Sequence, residues 1–432
     1  MPSVDDVPNE IWLEIFDQLS HSIEHRTGTF AALCLTSRRF RELAEPLLYE
    51  SYGNLRSRDL PHSFPLAILE RPHLAKHVRN LDLYLGGGVG DQWDINPMPE
   101  DLYRRLRRSI QQSGFCSELI GDWTDALARL GRPRGRACAA LGLLLASEKL
   151  EVLSVRYHQK TTTELWREGS RWNKESFLLR IMRDTLLSHT NKLGRFHSIR
   201  SVVIARPGSN TSFPLYPLAF LLKIPSLLYL QLRGCVDQEM GLGLRWDVDG
   251  PFKVDGDWHL VEKARLQTLV FRESDVSHEA LHLLMSRCSA LKHFYLDMHA
   301  IDPGRATFDF GVLDTALRYH RHALESLYLR FYDNMGRGRW GWGLNSPRSG
   351  SLSSLSQFNK LKSARVPGNV LLPYNWISPS SITIPSLMAE VKKVLPLNAQ
   401  AACFSGCDVV FGDKYISPYA DARIRDGRVP AP

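Results

Sequence analysis

With 432 residues, of which 44% are hydrophobic and 23% charged, the chain has the size and composition of a folded protein; a wholly disordered, collagen-like or disulfide-stapled miniature chain is excluded. A formal net charge of +8 over that length is a modest excess. The basic runs at 104–108 and 132–136 stand beside Gly, Pro or polar residues and are expected as solvated helix ends and loops, so no nucleic-acid partner is inferred.

Seven cysteines, odd in number and widely spaced, make no disulfide framework, and the opening MPSVDDVPNE lacks the charged-then-apolar layout of a secretory signal. The expectation is an intracellular protein of cytoplasm or nucleus. The longest apolar stretch, 213–232, is interrupted by Pro214, Pro217, Pro225 and Lys223. It is expected to form a short buried helix, a turn and a strand, with no membrane contact.

Asp5 and Asp6 precede Pro8, which places acids at the positive end of a helix dipole and proline where its missing N–H costs nothing. A helix is predicted from there, with Ile11, Ile15 and Leu19 at intervals of four and Trp12 and Phe16 beside them. That stripe is wider than one small helix pair covers, so a partner surface is expected. After a polar gap with Gly28, a second stretch carries Phe30, Leu33 and Leu43 among Arg38, Arg39 and Arg41, and Pro46 opens a third through Leu47, Leu48 and Tyr49.

These three blocks, VPNEIWLEIFDQL, FAALCLTSRRFREL and AEPLLYESY, resemble the F-box of fungal proteins. Val7-Pro8 stands at the family's Leu-Pro position, and Thr36-Ser37-Arg38-Arg39-Phe40 at its Val-Cys-Arg-Arg-Trp position. The resemblance implies docking on a Skp-family adaptor, and through it on a cullin, by a helix-in-groove mode. Val7, Pro8, Ile11, Trp12, Ile15, Leu19, Phe30 and Leu33 are the adaptor-binding candidates.

From residue 77 one spacing returns eight times: an apolar residue, two others, an apolar residue, one other, an apolar residue. The sets are Val78/Leu81/Leu83, Leu150/Leu153/Val155, Ile199/Val202/Ile204, Leu227/Leu230/Leu232, Leu266/Leu269/Phe271, Leu291/Phe294/Leu296, Leu324/Leu327/Leu329 and Leu361/Ala364/Val366. The last two positions of each set alternate as a half-buried strand requires. Helical spacing lies between several of them, at 175–189, 277–288 and 310–320. The expected fold is α/β: an irregular, degenerate leucine-rich-repeat solenoid behind the F-box, with a doubly wound α/β domain as the alternative. The expected domains are an F-box at 1–52, a connection at 53–76, the repeats at 77–372 and a tail at 373–432, with loops at 85–100 and 336–350 and one amphipathic stretch at 385–395.

Residues beside the buried pair of each strand line one face of such a solenoid. They include Arg156, Arg233, Arg272 and Arg330 at strand ends, with Tyr229, Tyr295 and Tyr328 nearby. Arginine beside tyrosine suits a protein target, acidic or phosphorylated. One motif competes: His278-Glu279-Ala280-Leu281-His282 matches the zinc-hydrolase helix H-E-x-x-H. The extended form wants glycine and a third histidine where Met285 and Cys288 stand, and no glutamate occurs between Glu279 and Glu325. Cys403 and Cys407 have no partnering pair nearby. No catalytic residue, metal or cofactor is expected. The expected function is substrate recognition in a ubiquitin ligase, the alternatives being an F-box protein outside a ligase and a zinc hydrolase.

Overall fold

The structure, a computed structural model, describes residues 6–19, 23–53, 63–85, 98–112, 117–128, 132–156, 177–187, 195–205, 213–236, 263–298, 308–331, 348–367, 370, 393, 396 and 401–405. The glycine-rich run after Leu85, residues 336–347, all of 385–395 but Lys393, and Cys407 lie outside them. The chain divides into two compact units, 1–202 and 203–432, a division inside the span 77–372 expected to be one domain.

The first unit opens with α1 (Asn9–Gln18), α2 (Ile23–Thr36) and α3 (Arg38–Glu50). Phe16, Phe30 and Ala44 are buried at their centre, with Trp12, Leu19, Leu33, Phe40 and Leu43 half-buried around them. Trp12 meets Phe40 edge-on at 4.8 Å, and Phe16 meets Phe30 at 6.1 Å. Trp12 and Phe16 are one turn apart on α1, so both reach the same core.

Two boundaries differ from the sequence expectation. Helix α2 starts at Ile23, so Gly28 lies inside a helix and not in a gap. The break before α3 falls at Ser37, whose extended backbone and Oγ, accepting the Phe40 N–H at 3.1 Å, cap the helix; Pro46 sits within α3 and opens nothing.

Helix α3 runs straight into β1 (Ser51–Gly53), which pairs in parallel with β2 (Asn80–Tyr84). The sheet therefore begins inside the block 1–52. The described part of 53–76 is helical: α4 (Ser63–Glu70) and a 3-10 turn (Pro72–His77) bury Phe64, Pro65, Ile68 and Leu74. Helices α5 (Glu100–Gln111), α6 (Ser117–Ala128) and α7 (Arg132–Ala146) lead to β3 (Val152–Arg156), parallel to β2. The basic run 104–108 is the solvated face of α5, whose Leu102, Leu106 and Ile110 are buried. Helix α8 (Phe177–Leu187) precedes β4 (Ser201–Ala205), where the units divide.

In the second unit β5 (Phe213–Pro214), a 3-10 turn (Tyr216–Lys223) and a bend lead to β6 (Tyr229–Arg233). No helix among the described residues is long and apolar enough to cross a membrane. After β7 (Cys235–Val236) come β8 (Thr268–Ser274), α9 (His278–Ser286), β9 (His293–Met298), β10 (Phe308–Asp309), α10 (Phe310–Arg318), β11 (Ser326–Phe331), β12 (Arg348–Ser349), β13 (Ser363–Pro367) and β14 (Ala401–Ser405). Strands β6, β8, β9, β11, β13 and β14 pair in chain order, each parallel to the next. A doubly wound sheet reverses its order at a switch point. This one does not, so the unit is a mixed α/β stack of repeats.

Every residue of the eight three-residue sets is at most 2% exposed. One backbone rung recurs between repeats. The carbonyl before β8, that of Gln267, accepts the N–H groups of Lys292 and His293; the Lys292 carbonyl accepts those of Glu325 and Ser326; the Glu325 carbonyl accepts those of Lys362 and Ser363. Two donors on one acceptor at the same position in each repeat lock the register. Strand β14 corrects the expectation that the pattern stops after Leu372. Its sequence carries the same spacing without leucine, as Ala399, Ala402 and Phe404, and it pairs with the edge of β13, Ser363 opposite Ala401, Ala364 opposite Ala402 and Val366 opposite Phe404.

Candidate interaction surfaces

On α1 the predicted stripe splits in two. Ile11 and Ile15, one turn apart, are 44% and 42% exposed. Trp12 and Leu19 turn inward and are half-buried against Phe16, as is Leu33 from α2. Phe30, expected on the adaptor face, is completely buried, because the inward positions of α2 must fill the space between Phe16 and Ala44. Leu13 and Leu35 are exposed, Leu35 to 82%, and were missed because neither falls on the four-residue spacing. Val7 and Pro8 lie at the entry to α1 and are held from α3: Arg39 donates to the Val7 carbonyl and, through Nε, to Asn9 Oδ1 at 2.9 Å.

The arginines at strand ends have different surroundings. In the first unit Arg156 pairs with Asp82 at 3.1 Å. In the second, Arg233 makes a forked pair with Glu273, Nε to Oε2 at 3.0 Å and Nη2 to Oε1 at 2.7 Å, and that bond raises the guanidinium pKa. Glu273 can reach it because β8 is irregular between Phe271 and Ser274 and the Glu273 backbone is left-handed, φ 47°. Arg330 stands in register with the buried Asp297. Tyr229 donates its hydroxyl to Gln231 Oε1 at 2.6 Å, and burial pushes its phenol pKa up.

The remaining three meet. Tyr295 and Tyr328 stack with centroids 4.1 Å apart and planes 4° from parallel. Burial raises the Tyr295 phenol pKa. Arg272, exposed, places its Cζ 5.6 Å from the Tyr295 centroid, and Arg365 places its own 5.1 Å from that of Tyr328. Arg365 is absent from the sequence-derived candidates. Its signal was present, since it lies between Ala364 and Val366 as Tyr328 lies between Leu327 and Leu329.

The sequence matches no family model and no curated protein. Among solved structures it is similar to the crystal structure of an internalin (inlF) from Listeria monocytogenes str. 4b F2365, at 12% identity over 73% of this chain and 81% of that one, with a TM-score of 0.26.

The H-E-x-x-H residues lie on α9, where Ser277 caps the helix by accepting the Ala280 N–H. His278 Nδ1 accepts the Asp309 N–H at 3.2 Å, and its Nε2 lies 2.9 Å from Glu279 Oε1. Both ring nitrogens are thus committed, and the glutamate is held by its own neighbour. His282 Nε2 lies 3.4 Å from the Tyr319 hydroxyl. No three His, Cys, Asp or Glu among the described residues are grouped to hold a metal ion.

Proposed function

We propose that this chain is the substrate-recognition subunit of a Skp-cullin-F-box ubiquitin ligase, the N-terminal helices docking on a Skp-family adaptor and the sheet face of the second unit holding a protein target. The observation that carries the reading is the pair Ile11 and Ile15, exposed one turn apart on a helix whose other face is fixed by Trp12 and Phe16. Exposed isoleucines on a rigid helix suit a groove-binding anchor. The resemblance of Val7-Pro8 and Thr36–Phe40 to the F-box supports the same assignment. No catalytic group of the chain's own is invoked, since a conjugating enzyme brought by the cullin transfers ubiquitin. The complex acts inside the cell, where adaptor and cullin are found.

The test is co-purification of the full chain with adaptor and cullin. Ile11→Asp and Ile15→Asp each place a charge where the groove would desolvate it, at a cost of several kcal/mol. Both variants are expected to keep the wild-type melting profile and to lose the adaptor. Capture at wild-type yield by both variants would overturn the assignment.

A further inference from the structure

We infer that the stacked pair Tyr295 and Tyr328, flanked by Arg272 and Arg365, reads an extended acidic peptide segment of a partner protein that carries two carboxylates four residues apart, with an apolar or aromatic side chain midway. The inference rests on the proposed target-receptor role and narrows it.

The four side chains come from β8, β9, β11 and β13, consecutive strands of one parallel sheet. All occupy positions on the face opposite the buried leucines, with Val270, Tyr295, Tyr328 and Arg365 in one register row and Arg272 two residues beyond Val270. Charge separates these arginines from the others: among the described residues Arg233 faces Glu273 and Arg156 faces Asp82, whereas Arg272 and Arg365 face aromatic rings. A guanidinium held over a ring keeps its charge and its outward donors. Among the described residues this stretch of the face therefore carries two positive charges with no facing acid, and an apolar platform between them.

Spacing decides what fits. The Arg272 and Arg365 Cζ atoms lie 5.6 and 5.1 Å from the centroids of two rings that are 4.1 Å apart, so at most about 15 Å separates the two charges. In an extended peptide alternate side chains point the same way, and four residues cover about 13 Å. A peptide crossing the strands thus sets its first and fifth side chains over Arg272 and Arg365 and its third over the tyrosine pair. One phosphoryl group cannot serve both arginines, because a charge-assisted hydrogen bond spans about 3 Å and two rings stand between them. Separated carboxylates fit where a single phosphate does not.

The experiment titrates the purified full chain against a fluorescein-labelled peptide with glutamates four residues apart and phenylalanine midway, read by fluorescence polarisation. Saturable binding is expected, weakened at least roughly tenfold in Arg272→Glu and in Arg365→Glu, and unchanged within about twofold in Arg107→Gln, on the solvated face of α5. A peptide with adjacent glutamates, and one with a single phosphotyrosine and no other acid, should compete at least about tenfold less well. No saturation at millimolar concentration, wild-type affinity in both charge-reversal variants with unchanged melting, or stronger competition by the phosphopeptide would each overturn the inference. Adaptor capture is measured on the same preparations. Peptide binding lost with adaptor capture retained defeats this inference alone, and the reverse defeats the adaptor assignment alone.

Discussion

The Arg39 guanidinium, at the start of α3, donates to the side-chain oxygen of Asn9, the first residue of α1, at 2.9 Å, and also to the Val7 carbonyl. It closes the helical group at the point where the chain enters α1. Arg38 beside it points out to solvent and meets Glu42, both largely exposed, at 3.2 Å. The two adjacent arginines are therefore unequal. Arg39→Ala is expected to cost about 1–2 kcal/mol, because two hydrogen bonds from a charged group are lost, the one to the Val7 carbonyl part-buried. Arg38→Ala should stay within about 0.5 kcal/mol, the range of an exposed i,i+4 pair. Urea unfolding measures both, and hydrogen exchange should show α1 opening in the Arg39 variant alone.

Phe30 and Leu35 make a second contrast on one helix. Phe30 is completely buried against Phe16 at 6.1 Å, while Leu35 is 82% exposed. Phe30→Ala leaves a cavity between three helices and should cost about 3–5 kcal/mol. Leu35→Ser should be neutral within about 0.5 kcal/mol. If Phe30→Ala loses the adaptor, circular dichroism should show the helical group melting at lower temperature. Ile11→Asp, by contrast, should lose the adaptor with its melting unchanged.

How far the sequence carried these structures depends on what kind of force placed each residue. The eight strands were legible because a buried pair alternating on a strand leaves a period in the side chains, and Leu269/Phe271 or Leu327/Leu329 could bury in no other register. Strand β14 was not, since alanine stands where most of the other sets have leucine, and its period of Ala399, Ala402 and Phe404 is faint, although Ala402 and Phe404 stand opposite Ala364 and Val366. The Ser37 break was mistaken for one at Pro46 because proline is the louder local signal, yet the cap hydrogen bond to the Phe40 N–H sets the boundary. On the sheet face, arginine and tyrosine positions were legible from alternation. Which arginines keep their charge free was not: the left-handed turn at Glu273 that neutralises Arg233 depends on an irregularity in β8.

Glycine matters sharply at one position and hardly at another. Gly350 has φ +75°, and an added Cβ would lie 2.3 Å from the Gly311 amide nitrogen and 2.9 Å from the Asp309 carboxylate that caps α10. Gly350→Ala should therefore lower stability by about 1–3 kcal/mol, through backbone strain and displacement of the cap. Gly28 lies within α2, and an added Cβ there would meet nothing within 4 Å among the described residues. Gly28→Ala should raise stability by up to about 1 kcal/mol, from helix propensity alone. Urea midpoints moving in opposite directions support both assignments, and a neutral Gly350→Ala would refute the first.

The H-E-x-x-H helix yields a metal prediction. Since His278 accepts the Asp309 N–H and its other nitrogen meets Glu279, zinc binding there would break both contacts. One equivalent of zinc should leave the melting temperature unchanged, and purified protein should hold no stoichiometric zinc by elemental analysis. Zinc that co-purifies and is lost in His282→Ala would refute this.

The last prediction concerns acid. His320 is buried, and its Nε2 donates to the Met285 carbonyl at 3.0 Å, which leaves Nδ1 as the nitrogen that must take up a proton. Nδ1 has no hydrogen-bond partner among the described residues. Burial lowers the pKa below the usual 6.5, the Met285 carbonyl opposes the shift and Lys263 adds to it. As pH falls from 6.5 the unfolded chain takes up this proton first, so stability falls until the pH passes the folded-state pKa, and it is unaffected above about 7. Glu325 has the opposite kind of shift, its carboxyl held low by Lys362, and the stability it gives is lost only as pH falls below about 4.5, so the two windows are separate. His77 in the first unit is also lowered by burial and acts in the histidine window. Urea unfolding at pH 7.5, 6.5 and 5.5 should therefore show a loss toward acid, to which one histidine contributes at most about 1.4 kcal/mol per pH unit. In His320→Gln, which can still donate to Met285, that loss should shrink, and in His320→Gln with His77→Gln it should largely vanish. An acid slope unchanged in the double variant would mean that neither imidazole controls stability above pH 5.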